Sequence, residues 1–251
     1  MTNTQCFIQV AGVRSLAEAR LLAACGATHI GLPLRLPVHK EDVSEDEARH
    51  IVGSLAAAGQ SRAQAVLITY QTDARETLEF CRFLGVDGVQ LHGPMPLAEV
   101  RRLREAAPDL FVIKSLVVGT LDGAGDEAAL LTAAREHAPF VNAFLSDTFD
   151  PASGASGATG KAHDWGVSRR LAEALSLGAA RPLILAGGLT PDNVAEAVQS
   201  VRPAGVDAHT GLEDAAGNKD EALVRRFVAE ARAALAATTG SAGLAKARDK
   251  A

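Results

Sequence analysis

Short apolar segments alternate with longer amphipathic segments along most of the chain. The apolar segments have the length of buried strands, and the longer segments repeat apolar residues three or four positions apart, as amphipathic helices do. The predicted strands lie at residues 7–11, 28–34, 65–69, 88–91, 110–114, 140–145, 183–186 and 205–208. The predicted helices lie near residues 15–25, 73–83, 97–107, 127–137, 167–177, 194–201 and 219–235, and a further helix opens at the capping box of Ser44 and Glu47. Strand and helix therefore alternate eight times.

Eight strand–helix units in one chain favour a closed parallel barrel over an open sheet. The sequence therefore predicts an α/β fold, a single-domain (β/α)8 TIM barrel over residues 1–238. The remaining residues, 239–251, are small and charged, and we expect them to form a disordered C-terminal tail. The segment 150–160, rich in Gly, Ser and Ala, is interpreted either as a mobile lid or as a solvated spacer.

The composition suits one large apolar core and excludes several classes of partner. Hydrophobic residues make up 47% of the chain, and the net charge of −5 comes without a basic tract, so we expect neither nucleic acid nor an anionic membrane as a partner. No apolar run approaches the roughly 18 residues of a membrane span, and the N-terminus lacks a signal sequence, so we expect a cytoplasmic protein. The three cysteines, Cys6, Cys25 and Cys81, have no metal-binding spacing and are expected to be reduced thiols.

Two glycine-containing turns follow the last two predicted strands. The first contains Gly187 and Gly188, and the second is formed by His209, Thr210 and Gly211. Glycine lets backbone N–H groups approach an anion closely, and in a (β/α)8 barrel the loops after the seventh and eighth strands commonly bind phosphate. We therefore expect the two turns to form one phosphate-binding cup; the alternative is two ordinary tight turns.

Ionisable side chains lie at the predicted carboxyl ends of the strands, where the chemistry of such a barrel takes place. Asp147 is interpreted either as a partly desolvated acid/base carboxyl or as a loop-holding aspartate. Asp207 either binds ligand hydroxyls or is a structural acceptor, and His92 either contacts a ligand or closes a tight turn. Lys114 either binds substrate, through an oxyanion contact or a Schiff base, or pairs with one of the two aspartates.

Further polar side chains at the same ends complete the candidate set. Gln9, Gln90 and Lys40 are expected to contact the substrate, and His29 is expected to be a buried structural residue. A metal site built from loop residues is weighed and set aside, because the spacing of its members does not require a metal. The four side chains considered for it are His39, Glu41, His92 and His209. The sequence predicts no cofactor and no metal.

The order of motifs resembles the phosphoribosylanthranilate isomerase family. The matching segments span almost the whole barrel and comprise Gln-Leu-His-Gly at 90–93, Val-Ile-Lys at 112–114, Leu-Ser-Asp at 145–147, Gly-Ala-Thr-Gly-Lys at 157–161 with Asp-Trp at 164–165, and the segments 183–193, 206–213 and 219–220. The resemblance implies a (β/α)8 fold and a phosphorylated sugar held by Gly187, Gly188, Thr210 and Gly211. It also implies that Asp147 is the general acid of an Amadori rearrangement, which converts an aminoaldose into an aminoketose.

Two departures from the family pattern concern the reacting groups. The family's first strand reads Lys-Ile-Cys-Gly and its cysteine is the general base, whereas residues 9–12 here read Gln-Val-Ala-Gly, with Ala11 at the position of the base. Cys6 lies five residues earlier on the strand, roughly 16 Å away at about 3.3 Å per residue, and Cys25 and Cys81 lie on predicted helices. The family's Ser-Pro-Arg segment, whose arginine pairs with the substrate carboxylate, corresponds to His39, Lys40 and Glu41.

These departures lead to three hypotheses of function. The first is an isomerase of the aldose–ketose type that acts on a related sugar phosphate rather than the standard anthranilate substrate, with Asp147 sharing acid/base work with Asp207, His92 or His39. The second is a genuine but weak phosphoribosylanthranilate isomerase of tryptophan biosynthesis, with Asp207 or a water molecule in place of the thiol. The third is a protein that binds a phosphorylated metabolite without turnover. The assembly is expected to be a monomer or a homodimer.

Overall fold

The computed structural model of the protein describes residues 6–37, 41–57, 59, 63–119, 124–150, 155–156, 165–179 and 181–248. Its strands are β1 Phe7–Ala11, β2 His29–Pro33, β3 Gln64–Thr69, β4 Gly88–Leu91, β5 Phe111–Val118, β6 Ala143–Asp150, β7 Ala155–Ser156, β8 Leu183–Leu185 and β9 Gly205–Ala208. Its helices are α1 Leu16–Ala24, α2 Glu45–Ala56, α3 Ala74–Leu84, α4 Leu97–Ala106, α5 Ala124–His137, α6 Trp165–Ala174, α7 Val194–Val201 and α8 Glu221–Arg248. None of these helices is long and apolar enough to cross a bilayer.

Eight of the strands form a closed parallel barrel. The strands follow one another in the order β5, β4, β3, β2, β1, β9, β8 and β6, and β6 pairs with β5 to close the sheet. The short strand β7 adds an antiparallel pair to the end of β6. The prediction of a (β/α)8 barrel is therefore confirmed, and its predicted seventh and eighth strands correspond to β8 and β9.

Local sequence signals set several helix starts. Ser15 accepts a hydrogen bond from the Glu18 N–H at the start of α1, and Ser44 and Glu47 form the predicted capping box of α2. Thr190 and Asp192 are residue types that often cap helices, but the chain makes a turn there and α7 begins after Asn193. Helix α8 continues past the expected domain end at residue 238, to Arg248, and disorder of the tail stays a prediction.

The barrel interior has an apolar floor below its polar mouth. The floor consists of inward-facing residues from neighbouring strands, namely Val66, Ile113, Ala143, Leu145, Ile184 and Ala186. Since strand side chains alternate between faces, Asp147 points into the barrel two residues after Leu145. Gln9 likewise lies in register with Asp207 on the neighbouring strand. The carboxyl ends of these strands therefore collect polar groups above an apolar base.

His29 belongs to the opposite end of the barrel, at the start of β2. Its ring stacks on Phe7 with the ring centroids 3.8 Å apart, and burial lowers the pKa of its imidazole to about 4. A neutral, stacked histidine far from the mouth agrees with the structural role expected for it.

Candidate active site

The loops after β8 and β9 form one concave surface at the barrel mouth. Gly187 and Gly188 adopt φ angles of 90° and 62°, which L-residues with side chains rarely adopt. A Cβ atom on Gly211 would lie 2.2 Å from the carbonyl oxygen of Leu189, so only glycine allows the two loops to touch. The cavity between them is lined by Asp147, Ala186, Gly187, Gly188, Leu189, Asp207, Ala208, His209, Thr210 and Gly211. The two turns therefore share one hollow, and that hollow includes both aspartates.

Backbone N–H groups are available in this hollow. Within the described part of the chain, the N–H groups of Gly187 and Gly188 donate to no protein acceptor. Asn193 holds the first loop, because its Nδ2 donates to the Gly188 carbonyl at 2.9 Å and its Oδ1 accepts from the Thr190 N–H at 2.8 Å. Sequence reasoning missed this role of Asn193, although an asparagine directly before a helix is a recognisable signal. The arrangement can bind an oxyanion.

Asp147 and Asp207 are both buried at the mouth. Burial raises the pKa of the Asp147 carboxyl, against the nearby His92 and the Thr148 N–H, which lower it. Burial and the neighbouring charge of Asp147 raise the pKa of Asp207 to about 8, while Gln9 and Lys219 lower it. Burial therefore favours the protonated form of both carboxyls, which is the form that a general acid needs.

A chain of polar side chains connects the two aspartates across the mouth. Gln9 lies beside Asp207 on the neighbouring strand and lowers the pKa of its carboxyl, and its Nε2 donates to Gln90 Oε1 at 3.0 Å. Gln90 Nε2 lies 3.5 Å from His92 Nδ1, and His92 acts electrostatically on Asp147. The structure thus brings together the five sequence-predicted residues of the mouth.

Two oxygen atoms among these polar side chains are candidates for contact with a ligand. Gln9 Oε1 and Asp207 Oδ1 are buried and lack a hydrogen-bond partner among the described residues. An unpaired buried acceptor costs about 1–3 kcal/mol, so such atoms are usually satisfied by a ligand or by ordered water. Hydroxyl groups of a bound sugar would satisfy both.

The Lys114 side chain points away from the barrel interior. Because Ile113 faces the barrel interior, alternation turns the Lys114 side chain toward the helices. Its Nζ donates to the carbonyl oxygens of Leu91 at 3.2 Å, Gly93 at 3.0 Å and Ser115 at 3.2 Å, and burial lowers its pKa to about 8. Neither Asp147 nor Asp207 is among these partners. The structure therefore shows a lysine that ties the ends of β4 and β5 together.

His209 lies over the end of β1 and belongs to a charged group that the sequence did not reveal. A Cβ atom on Gly12 would lie 1.9 Å from His209 Nε2, so the imidazole packs directly on the Gly12 backbone. Glu213 Oε1 lies 3.4 Å from Nε2 and 2.6 Å from the Nζ of Lys219, whose side chain is fully buried. The segments 206–213 and 219–220 were noted as family motifs, but nothing in their spacing assigned these roles.

The structure also locates the two departures from the family pattern. Ala11 ends β1 with only 3% of its surface exposed, so no acid/base group is present at that position. The Arg35 guanidinium lies over the Phe80 ring at 3.7 Å and pairs with Glu45, outside the barrel, while the Arg35 N–H donates to the Glu41 carboxylate. Arg35 is therefore not at the mouth to bind a substrate carboxylate.

Several predicted features lie outside the described residues. They are Lys40, His39 and most of the segment 150–160, of which the structure describes Asp150 at the end of β6 and Ala155–Ser156 as β7. In the part of the chain that the structure does describe, no three His, Cys, Asp or Glu side chains gather in a metal-binding cluster.

Comparisons with known proteins agree on one family. The model of the N-(5'phosphoribosyl)anthranilate (PRA) isomerase family matches residues 9–230. The chain is 35% identical over 226 residues to N-(5'-phosphoribosyl)anthranilate isomerase 2 of Methanosarcina mazei, covering 90% of this chain and 93% of the relative. It is 37% identical over 227 residues to the N-(5'-phosphoribosyl)anthranilate isomerase of Haloferax volcanii, with the same coverage. The crystal structure of phosphoribosyl anthranilate isomerase from Thermotoga maritima matches with a TM-score of 0.72 and 26% identity, covering 91% of this chain and 99% of that chain.

Proposed function

Since the chain belongs to the N-(5'-phosphoribosyl)anthranilate isomerase family, the resemblance seen in its motifs is confirmed, and we propose that it isomerises N-(5'-phosphoribosyl)anthranilate itself. This proposal takes up the second hypothesis, isomerisation of the standard substrate in tryptophan biosynthesis, in place of the first. The relatives compared above align with about nine tenths of this chain, and their names give N-(5'-phosphoribosyl)anthranilate as the substrate. Neither name points to another sugar phosphate.

One observation carries the proposal: the glycine cup and the two buried aspartates line a single cavity. A ribose phosphate anchored by the N–H groups of Gly187 and Gly188 would place its sugar ring toward Asp147 and Asp207. The unpaired atoms of Gln9 and Asp207 then lie where sugar hydroxyls are expected. Neighbouring loops at one end of the barrel would thus both anchor the phosphate and position the reacting carbons.

Asp147 is proposed as the general acid. Burial raises the pKa of its carboxyl and so favours the protonated form, from which Asp147 donates a proton to the ring oxygen of the sugar. The bond between that oxygen and C1 breaks and leaves an iminium ion at C1. Loss of the C2 proton to a base gives an enolamine, and protonation of C1 with loss of the enol proton gives the aminoketose. Protons taken up and released balance, as an isomerisation requires.

Asp207 is proposed as a neutral donor to a sugar hydroxyl. Its pKa of about 8 leaves the carboxyl mostly protonated at neutral pH. A protonated carboxyl can donate one hydrogen bond and accept others, which suits the unpaired Oδ1. His92 and Gln90 hold this side of the mouth in position through the polar chain described above.

A direct assay tests the proposed function. The substrate is generated from anthranilate and phosphoribosyl pyrophosphate by the preceding transferase, and its loss is followed by fluorescence with the purified protein. We expect turnover, and we expect Asp147→Asn to abolish it, while Asp109→Asn, an exposed aspartate between α4 and β5, leaves it unchanged.

Growth of a tryptophan auxotroph that lacks this isomerase provides a second readout. We expect the parent chain to restore growth without tryptophan and Asp147→Asn to fail. Absence of turnover and of complementation would contradict the proposal. If a phosphorylated sugar then raised the melting temperature without forming product, the binding hypothesis, which Ala11 favours, would replace it.

A further inference from the structure

The reaction needs a base near C2, and Ala11 supplies none. The three cysteines cannot act there, because Cys25 and Cys81 lie on the helical layer and Cys6 precedes β1 at the far end of the strand. Burial raises the pKa of Asp207 to about 8, so its carboxyl mostly carries a proton at neutral pH and would have to lose it before accepting another. The base must therefore come from another group on the cavity wall.

His209 lies where such a group is required. Its Nε2, Cδ2 and Cε1 atoms lie 1.9, 2.5 and 2.7 Å from the position of a Cβ atom on Gly12. Since successive Cα atoms are about 3.8 Å apart, the imidazole lies within roughly 7 Å of the Cα atom of Ala11. His209 also lines the same cavity as Asp147 and Asp207. An imidazole thus stands beside the position that the family's thiol occupies.

Two charged residues orient this imidazole. Glu213 Oε1 lies 3.4 Å from Nε2, so a neutral ring with its proton on Nε2 directs that proton at the carboxylate. Lys219 Nζ holds Glu213 at 2.6 Å and also donates to the backbone carbonyl of His209 at 3.1 Å. In this tautomer Nδ1 is the proton acceptor, and the carboxylate stabilises the imidazolium that forms when Nδ1 takes a proton.

We propose that His209 is the general base of this barrel and removes the C2 proton in place of the family's cysteine. The assignment rests on the proposed function and deepens it by naming the second reacting group. In the step itself, the C2–H bond breaks, the proton passes to Nδ1 of His209, and the electron pair forms the C1–C2 double bond of the enolamine as the iminium nitrogen becomes neutral. The imidazolium later returns its proton to solvent or to C1.

Two variants at position 209 test the assignment. We expect His209→Ala and His209→Gln each to lower kcat at least about 100-fold, the lower end of the usual contribution of a general base. We expect both to retain the rise in melting temperature caused by inorganic phosphate, because the cup is built from backbone N–H groups. The matched control is His50→Ala, an exposed histidine on α2, which should leave kcat unchanged.

Rescue and isotope measurements separate catalysis from a structural role. In His209→Ala, the added substitution Ala11→Cys should restore at least about tenfold of the lost kcat, because the thiol supplies a base at the family position. With substrate deuterated at C2, the isotope effect on kcat should increase in His209→Gln, since proton removal becomes more fully rate-limiting. A residue that only contacts phosphate would change KM and leave the isotope effect as it is.

The outcomes distinguish this inference from the proposed function. A parent that turns over substrate and a His209→Ala variant within threefold of it would overturn the role of His209 alone. A parent without turnover that gains activity from Ala11→Cys would show that the native barrel lacks a base, which overturns both. Inactivity of the parent and of Ala11→Cys would likewise overturn the role of His209 and the proposed function.

Discussion

The side-chain amide of Gln9 donates to the side-chain carbonyl of Gln90 at 3.0 Å and joins β1 to β4 across the barrel mouth. Gln9 also lies in register with Asp207, so a neutral amide faces this buried carboxyl at the position where the family sequence has a lysine. Without a cation on β1, burial and the charge of Asp147 dominate, and the pKa of Asp207 rises to about 8. Burial therefore sets the direction of this shift, and the neighbouring Gln9 opposes it.

The raised pKa of Asp207 predicts a pH-dependent stability. The ordinary pKa of an aspartate is 3.8, so between pH 3.8 and about 8 the folded protein holds a proton that the unfolded chain has lost. The contribution of the neutral carboxyl is therefore complete below pH 3.8 and is lost as the pH rises to about 8. From pH 6.5 to 8.5 we expect the free energy of unfolding to fall by about 2 kcal/mol more in the parent than in Asp207→Asn, as measured by urea denaturation.

Gln9→Lys should reduce the same pH dependence, because a cation beside Asp207 lowers the pKa of its carboxyl. A carbon-13 NMR titration of the aspartate carboxyls measures this shift directly. The control is Gln199→Lys, an exposed position on α7, which should leave the titration unchanged. Equal pH slopes in the parent and Asp207→Asn would show that Asp207 is ionised in the folded protein.

Lys114→Met should destabilise the protein without removing a reacting group. The substitution leaves the carbonyl oxygens of Leu91, Gly93 and Ser115 without the donors that Nζ provides. We expect a loss of about 3 kcal/mol in the free energy of unfolding, measured by urea denaturation, and a kcat within about tenfold of the parent under folding conditions. Arg20→Met, an exposed cation on α1, is the matched control. A loss of turnover with unchanged stability would instead support substrate binding by Lys114.

Gly188→Asp should abolish phosphate binding. Gly188 has a φ angle of 62°, and aspartate adopts this region more readily than most residues, so the main effect is a carboxylate placed in the cup. We expect inorganic phosphate and phosphorylated sugars to raise the melting temperature of the parent but not of the variant. Gly85→Asp, at a φ angle of 76° after α3, carries the same backbone cost far from the cup and should keep the shift. An unchanged shift in Gly188→Asp would place the phosphate elsewhere.

Ala11→Cys combined with Glu41→Arg should move the chain toward the family pattern. We expect the thiol to raise kcat and the arginine to lower KM about tenfold, because a guanidinium attracts the anthranilate carboxylate that Glu41 repels. Steady-state kinetics of the single and double variants measure both effects. Glu79→Arg, an exposed charge reversal on α3, is the control for net charge. A KM unaffected by Glu41→Arg would mean that other residues hold the carboxylate.

The sequence by itself determined the alternation of strands and helices, the caps at Ser15 and Ser44, and the two glycine turns. These features depend on residues close together along the chain, where apolar spacing, hydroxyl caps and the conformational freedom of glycine act locally. The cap of α7 was less predictable, because Thr190, Asp192 and Asn193 are all good capping types and only the turn geometry selects among them.

Only the tertiary structure decided which way Lys114 points and what surrounds His209. In a (β/α)8 barrel both faces of a strand are buried, so the hydrophobic pattern of β5 does not reveal which residues face inward. A shift of one position along the strand turns the Lys114 side chain from the mouth to the helices. The contact of His209 with Gly12 depends on β9 lying beside β1 when the barrel closes. The chain thus specifies its strands through local pattern, while the site arises from the register of strands that are distant in sequence.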